Sequence, residues 1–151
     1  PYALTTYNNR ALLDVLMGGG SEEELLEIFE YKNSRNGVGH PYNANTCICL
    51  GSMTTDVEKS LHYYGMALEI LEGGSFAGGP DSLFVELCME LRRGSGEGRL
   101  DGILSRYAPE CLENPDIRFL IGCVKGCRDE SYPKVAVSHN NTSELLLFPL
   151  M

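Results

Sequence analysis

The chain carries few residues equipped for chemistry: three histidines and six cysteines along 151 residues. The densest reactive segment is Arg35-Asn36-Gly37-Val38-Gly39-His40-Pro41-Tyr42, which gathers a guanidinium, an imidazole and a phenol. His62, beside Tyr63, reads as a surface or interface histidine. Cys123-x-x-x-Cys127 could supply half a metal site, but no second half follows at a standard ligand spacing. No metal and no cofactor is therefore expected. A Gly-x-x-x-x-Gly-Lys-Ser/Thr phosphate loop and a Gly-x-Ser-x-Gly elbow are both missing from the sequence. The Gly-rich stretches at 18–20, 73–79 and 94–98 read as linkers between helices.

Apolar spacing and breakers predict the elements that must position these groups. A first helix spans Asn8 to Met17 and stops at Gly18-Gly19-Gly20. Ser21 caps a second, with Glu22, Glu23 and Glu24 at its positive end, running to about Lys32. Pro41 or Tyr42 opens a third, ending near Met53. Asp56 caps a fourth, to about Glu72, with Val57, Leu61, Tyr64, Ala67, Leu68 and Leu71 apolar. Asp81 to Arg93 is a fifth and Arg99 to about Leu112 a sixth, the latter interrupted by Pro109. Pro115 suits a helix start, so Asp116 to about Gly126 is a seventh. Residues 1–128 thus form one helical repeat domain, followed by an irregular tail, 129–151.

First helices of successive pairs start near 8, 41, 81 and 115, at intervals of 33, 40 and 34 residues. Such periods belong to arrays of helical hairpins. The expected fold is all-α, a short right-handed solenoid of about three and a half antiparallel hairpins. The net charge of −9 and pI near 4.7 argue against a nucleic-acid partner, which needs a Lys/Arg surplus. They favour a basic partner surface instead. No apolar run approaches the ~20 residues needed to span a bilayer. The cysteines read as buried, reduced thiols behaving as small hydrophobes, which favours an intracellular setting.

Three stretches resemble known families. Asp56-Val57-Glu58-Lys59-Ser60-Leu61-His62-Tyr63-Tyr64-Gly65-Met66-Ala67-Leu68-Glu69-Ile70 resembles the second helix of a tetratricopeptide repeat. In that pattern Ser60 and Ala67 fill small places where helices touch, and Tyr64 fills a large aromatic place. His40-Pro41-Tyr42-Asn43-Ala44-Asn45-Thr46-Cys47-Ile48-Cys49-Leu50-Gly51 is similar to the opening of kinesin-light-chain-type repeats, with Gly51 as the small residue that admits the paired helix. The turn before Asp56 is about three residues shorter than in that family, and Cys49 replaces a peptide-contacting Asn. The resemblance implies a concave face lined by Asn45, Ile48 and Ser52, and by Glu86 and Glu90 in the next unit. Separately, Arg35, His40 and Tyr42 have the spacing of the HEPN ribonuclease signature. That resemblance implies Arg35 and His40 flanking a scissile phosphate, the imidazole as acid or base and the guanidinium as charge stabiliser. Gly37 and Gly39 would break a helical presentation of the pair.

The expected function is non-catalytic: a scaffold or assembly subunit that binds a protein partner through a helical-repeat surface. The alternatives are a HEPN-type ribonuclease using Arg35 and His40, and a purely structural subunit of a larger complex.

Overall fold

The computed structural model describes residues 10, 13–14, 21–37, 39–74, 77–94 and 96–126. Within them the chain is all-helical, with no strand. The helices are α1 (Glu22–Asn36), α2 (Pro41–Met53), α3 (Val57–Glu72), α4 (Pro80–Arg93), α5 (Leu100–Leu104) and α6 (Pro115–Val124). Two 3-10 turns, Gly96–Arg99 and Pro109–Glu113, flank α5. Of the expected first helix, Arg10, Leu13 and Asp14 are helical, and the rest of it lies outside the described residues. The tail at 129–151 lies outside them too.

Local chemistry sets the helix starts. Ser21 Oγ accepts the Glu24 amide at 3.2 Å, and the Asp56 carboxylate accepts the Lys59 amide at 3.1 Å. Asn114 Oδ1 accepts the Asp116 amide at 2.9 Å. Each satisfies an amide that the first helical turn leaves unpaired. At the other end of α4, Gly94 takes a left-handed conformation at φ 67° and its amide closes on the Glu90 carbonyl at 3.1 Å. That conformation costs any residue with a Cβ.

Two expectations are corrected. α1 runs on past Lys32 to Asn36, and Gly37 at φ 85° ends it. The expected helix from Arg99 to Leu112 is only five α-helical residues, Leu100–Leu104, then a turn and a 3-10 segment. Pro109 has no amide to donate and disfavours a helical Ala108, which is extended at ψ 144°. The helical run therefore stops well before it.

The helices pack in chain order: α1 on α2, α2 on α3, α3 on α4, and α4 on α6, with α5 and the 3-10 turns beside α4. One apolar core runs through them, from Leu25 through Leu50, Tyr64, Leu83 and Leu87 to Leu100, Ile117 and Leu120. α2 is unusual in being enclosed on nearly all sides. Asn43, Ala44, Thr46, Cys47, Ile48, Cys49, Leu50 and Ser52 are all buried, and only Asn45 and Met53 are half-exposed among its described side chains.

Candidate functional site

The best-defined constellation is the α2–α3 hairpin, where the repeat resemblance is concentrated. A Cβ placed on Gly51 would stand 2.9 Å from the Tyr64 ring, so any side chain at 51 would require the ring or a helix to shift. Ser60 exploits that proximity, donating its hydroxyl to the Gly51 carbonyl at 2.6 Å. The Tyr64 hydroxyl and Ser52 Oγ share a hydrogen bond at 2.8 Å in the interior. Ala67 is fully buried one turn further along α3. Val57, the first of the apolar positions of this helix, is exposed.

The five residues expected to line a partner surface do not share one environment. Asn45 is half-exposed on α2. Ile48 is buried in the core. Ser52 is buried, its hydroxyl meeting Tyr64 and its carbonyl accepting from Arg92 Nη2 at 2.8 Å. Glu86 on α4 holds Arg106 Nη2 at 2.7 Å and accepts a short hydrogen bond from the Tyr107 hydroxyl. Glu90 is buried, with Arg93 Nη1 at 2.8 Å and Arg99 Nε at 3.7 Å. Glu86 and Glu90 thus tie α4 to the segment carrying α5. Arg93 lies three residues from Glu90 on α4 itself, a helical spacing, whereas Arg99, Arg106 and Tyr107 were not legible from spacing, because they come from beyond the Gly94 turn.

Arg35 and His40 stand on different elements. Arg35 is exposed near the end of α1, where its Nε donates to the Tyr31 hydroxyl at 3.1 Å and its guanidinium lies 5.6 Å from that ring's centre. His40 is half-buried immediately before α2, beyond the turn closed by Gly37 and Gly39. Asn43, fully buried, secures this turn: its Nδ2 donates to Asn33 Oδ1 at 2.7 Å and to the Gly37 carbonyl at 2.9 Å.

Electrostatics in the interior favour neutral side chains. Cys47, Cys49, Cys88 and Cys111 are buried thiols and Cys123 is half-buried. Burial pushes the Cys47 thiol up to about 12, partly offset by the Lys32 amine. Cys88 is raised by the same desolvation. A thiol held protonated is a poor nucleophile, so Cys47 and Cys88 pack rather than react. Cys127 lies outside the described residues. Among those residues, no group of three or more His, Cys, Asp or Glu side chains is placed to hold a metal ion, and no helix is long and apolar enough to cross a membrane.

Spacing also missed Lys32. It is 2% exposed and donates to Thr46 Oγ1 at 2.7 Å, and desolvation lowers its pKa. A signal was present: Lys32 follows Leu25 by seven residues and Ile28 by four, the positions of one helical stripe.

Comparison with protein-family models, with curated proteins and with solved structures finds no match.

Proposed function

We propose that this chain is a non-catalytic protein–protein interaction module, built as a short tetratricopeptide-like array of helical hairpins. The observation that carries the reading is the α2–α3 hairpin, where Gly51 admits Tyr64 and the Ser60 hydroxyl bonds the Gly51 carbonyl. Those residue types at that separation are what the resemblance to repeat hairpins calls for. Packing of successive helices on their neighbours in chain order supports an array as well. The acidic balance, −9 overall, suits a partner with a basic surface. Asn45 and Glu86 are the candidate contact residues that keep some exposure.

A second reading, a structural subunit without a peptide groove, is favoured by one feature. Ile48, Ser52 and Glu90 are buried within the chain's own core, which leaves less of the expected concave lining to a peptide. Affinity purification from the native source distinguishes the readings. A stoichiometric protein partner that is lost on Asn45→Arg, with helicity and unfolding midpoint unchanged, supports a recognition surface. A partner retained through that change supports the structural subunit. RNA-cleavage assays on the same preparation, with His40→Ala as control, test the ribonuclease alternative. Cleavage that disappears in His40→Ala, with helicity intact, sinks the scaffold reading.

A further inference from the structure

Asn36 and Gly37 form the one Asn-Gly pair in the sequence. Asparagine before glycine has a chemistry of its own. The following amide nitrogen attacks the side-chain carboxamide, and glycine has no Cβ to obstruct the approach. Other asparagines of the described helices are less suited. Asn33, Asn43 and Asn45 sit inside helices and precede Ser34, Ala44 and Thr46. Asn114 precedes Pro115, whose nitrogen carries no proton to lose. Asn36 is instead the last residue of α1, and Gly37 leaves the helix at φ 85° and ψ 150°. Gly37 is exposed, and a Cβ built on it would meet nothing within 4 Å. Its amide is restrained by donation to the Asn33 carbonyl at 3.0 Å. Fraying of the last turn of α1 alone frees that nitrogen, and helix ends fray readily.

The same glycine is the joint between α1 and α2. Its carbonyl accepts from Asn43 Nδ2 at 2.9 Å and from the His40 amide at 3.2 Å. Asn43 is fully buried, and its Oδ1 already lacks a hydrogen-bond partner. Moving the Gly37 carbonyl away leaves a second polar group of Asn43 unpaired in the interior, which is costly.

We propose that Asn36 is a self-modification site, deamidating through Gly37 to an isoaspartyl linkage that loosens the α1–α2 joint. The Gly37 nitrogen loses its proton to solvent base and bonds to Cγ of Asn36. The bond from Cγ to the side-chain nitrogen breaks, and ammonia leaves with a proton from solvent. Water then opens the five-membered imide. Cleavage at Cγ gives an ordinary aspartyl residue. Cleavage at the main-chain carbonyl gives the isoaspartyl form. The balance is one water in and one ammonia out, with no electron transferred. The isoaspartyl form inserts a methylene into the backbone between Asn36 and Gly37, which displaces the carbonyl that Asn43 holds. Either product also puts a carboxylate at the C-terminal end of α1, where the helix dipole disfavours it. The inference does not depend on what the chain binds.

The full chain, aged in mildly alkaline buffer and mapped by electron-transfer mass spectrometry, tests the site. Asn36 should convert ahead of Asn33, Asn43, Asn45 and Asn114, mainly to isoaspartyl. Conversion in the folded chain should be about tenfold slower than in the urea-unfolded chain, because fraying gates it. Hydrogen exchange reads the joint. In aged protein, amides of residues 37–43 should exchange about tenfold faster than in fresh protein. Asn36→Gln, whose larger ring closes far more slowly, should age without either change. Asn36→Asp adds the charge without the methylene and should reproduce only a small part of the faster exchange. Another of these asparagines converting first in the folded chain overturns the proposal. So does Asn36 left intact after about a hundred half-times of the unfolded chain. Isoaspartyl protein that exchanges like fresh protein overturns it too, as does equal loosening in Asn36→Gln or Asn36→Asp.

Discussion

Gly51 shows how much one atom decides in this protein. Its missing Cβ leaves the space that the Tyr64 ring fills, and Tyr64 is itself fully buried and hydrogen-bonded to Ser52. The ring cannot retreat without breaking that bond and disturbing the packing. Gly51→Ala should therefore destabilise the chain by about 1–3 kcal/mol, the usual cost of overpacking, measured by urea unfolding followed by far-UV circular dichroism. A helix-propensity gain for alanine works in the opposite direction but is smaller, about 1 kcal/mol. A result at or above wild-type stability would mean that α2 and α3 do not meet at this point. Tyr63, one residue earlier, gives a different test. Burial and the Glu22 hydrogen bond push its phenol up to about 12, above the ordinary tyrosine value of 10. The unfolded chain gives up that proton first, so this contribution is intact below pH 10 and is lost as pH climbs from about 10 to about 12. Tyr63→Phe should make the alkaline loss of stability shallower over that window. Tyr64 and the raised thiols keep part of the loss in place.

At the scale of elements, the starts of helices are governed by side chains that local sequence supplies. Ser21, Asp56 and Asn114 each accept an amide of the following turn. Asn114→Ala should cost about 1 kcal/mol, seen as a lower urea midpoint with an unchanged slope. No change would indicate that Pro115 alone suffices to begin α6. The same locality accounts for where the capped helices begin: α1, α3 and α6 lie within a residue of their expected starts. The segment around Leu100–Leu104 is the counter-example. Its apolar spacing suits a longer helix, but Pro109 and the extended Ala108 end it early, and 3-10 turns fill both flanks. Periodicity reports which residues share a face and says little about where a turn tightens. The extension of α1 beyond Lys32 has the same origin, since polar residues at 33–36 extend a helix without adding to its apolar stripe.

At the scale of the whole molecule, α4 is the hub. It packs against α3 and α6 and carries α5 and both 3-10 turns alongside, with Leu83, Leu87 and Cys88 fully buried. Glu86 and Glu90 then bind it to Arg106, Tyr107 and Arg99. Leu87→Ala should cost about 2–5 kcal/mol, because the cavity lies where several elements meet and none can collapse into it independently. The loss should appear in one cooperative transition, seen by tyrosine fluorescence and circular dichroism alike. Separate transitions by the two probes would mean that the α1–α3 and α4–α6 regions unfold independently.

Amino-acid order alone determined the helical class and the capped starts of α1, α3 and α6, and it marked Gly51 as a small residue where the paired helix approaches. These follow from backbone chemistry and from contacts between neighbouring segments, which leave a periodic trace. Packing decided the rest. It set the enclosure of α2, the burial of Ile48, Ser52 and Glu90, the separation of Arg35 from His40 across a turn, and the seating of Lys32 against Thr46. Each of those depends on which segment covers a given face. One amphipathic stripe specifies that a face is buried but does not say what buries it, so polar residues on that stripe acquire their partners only when the helices assemble.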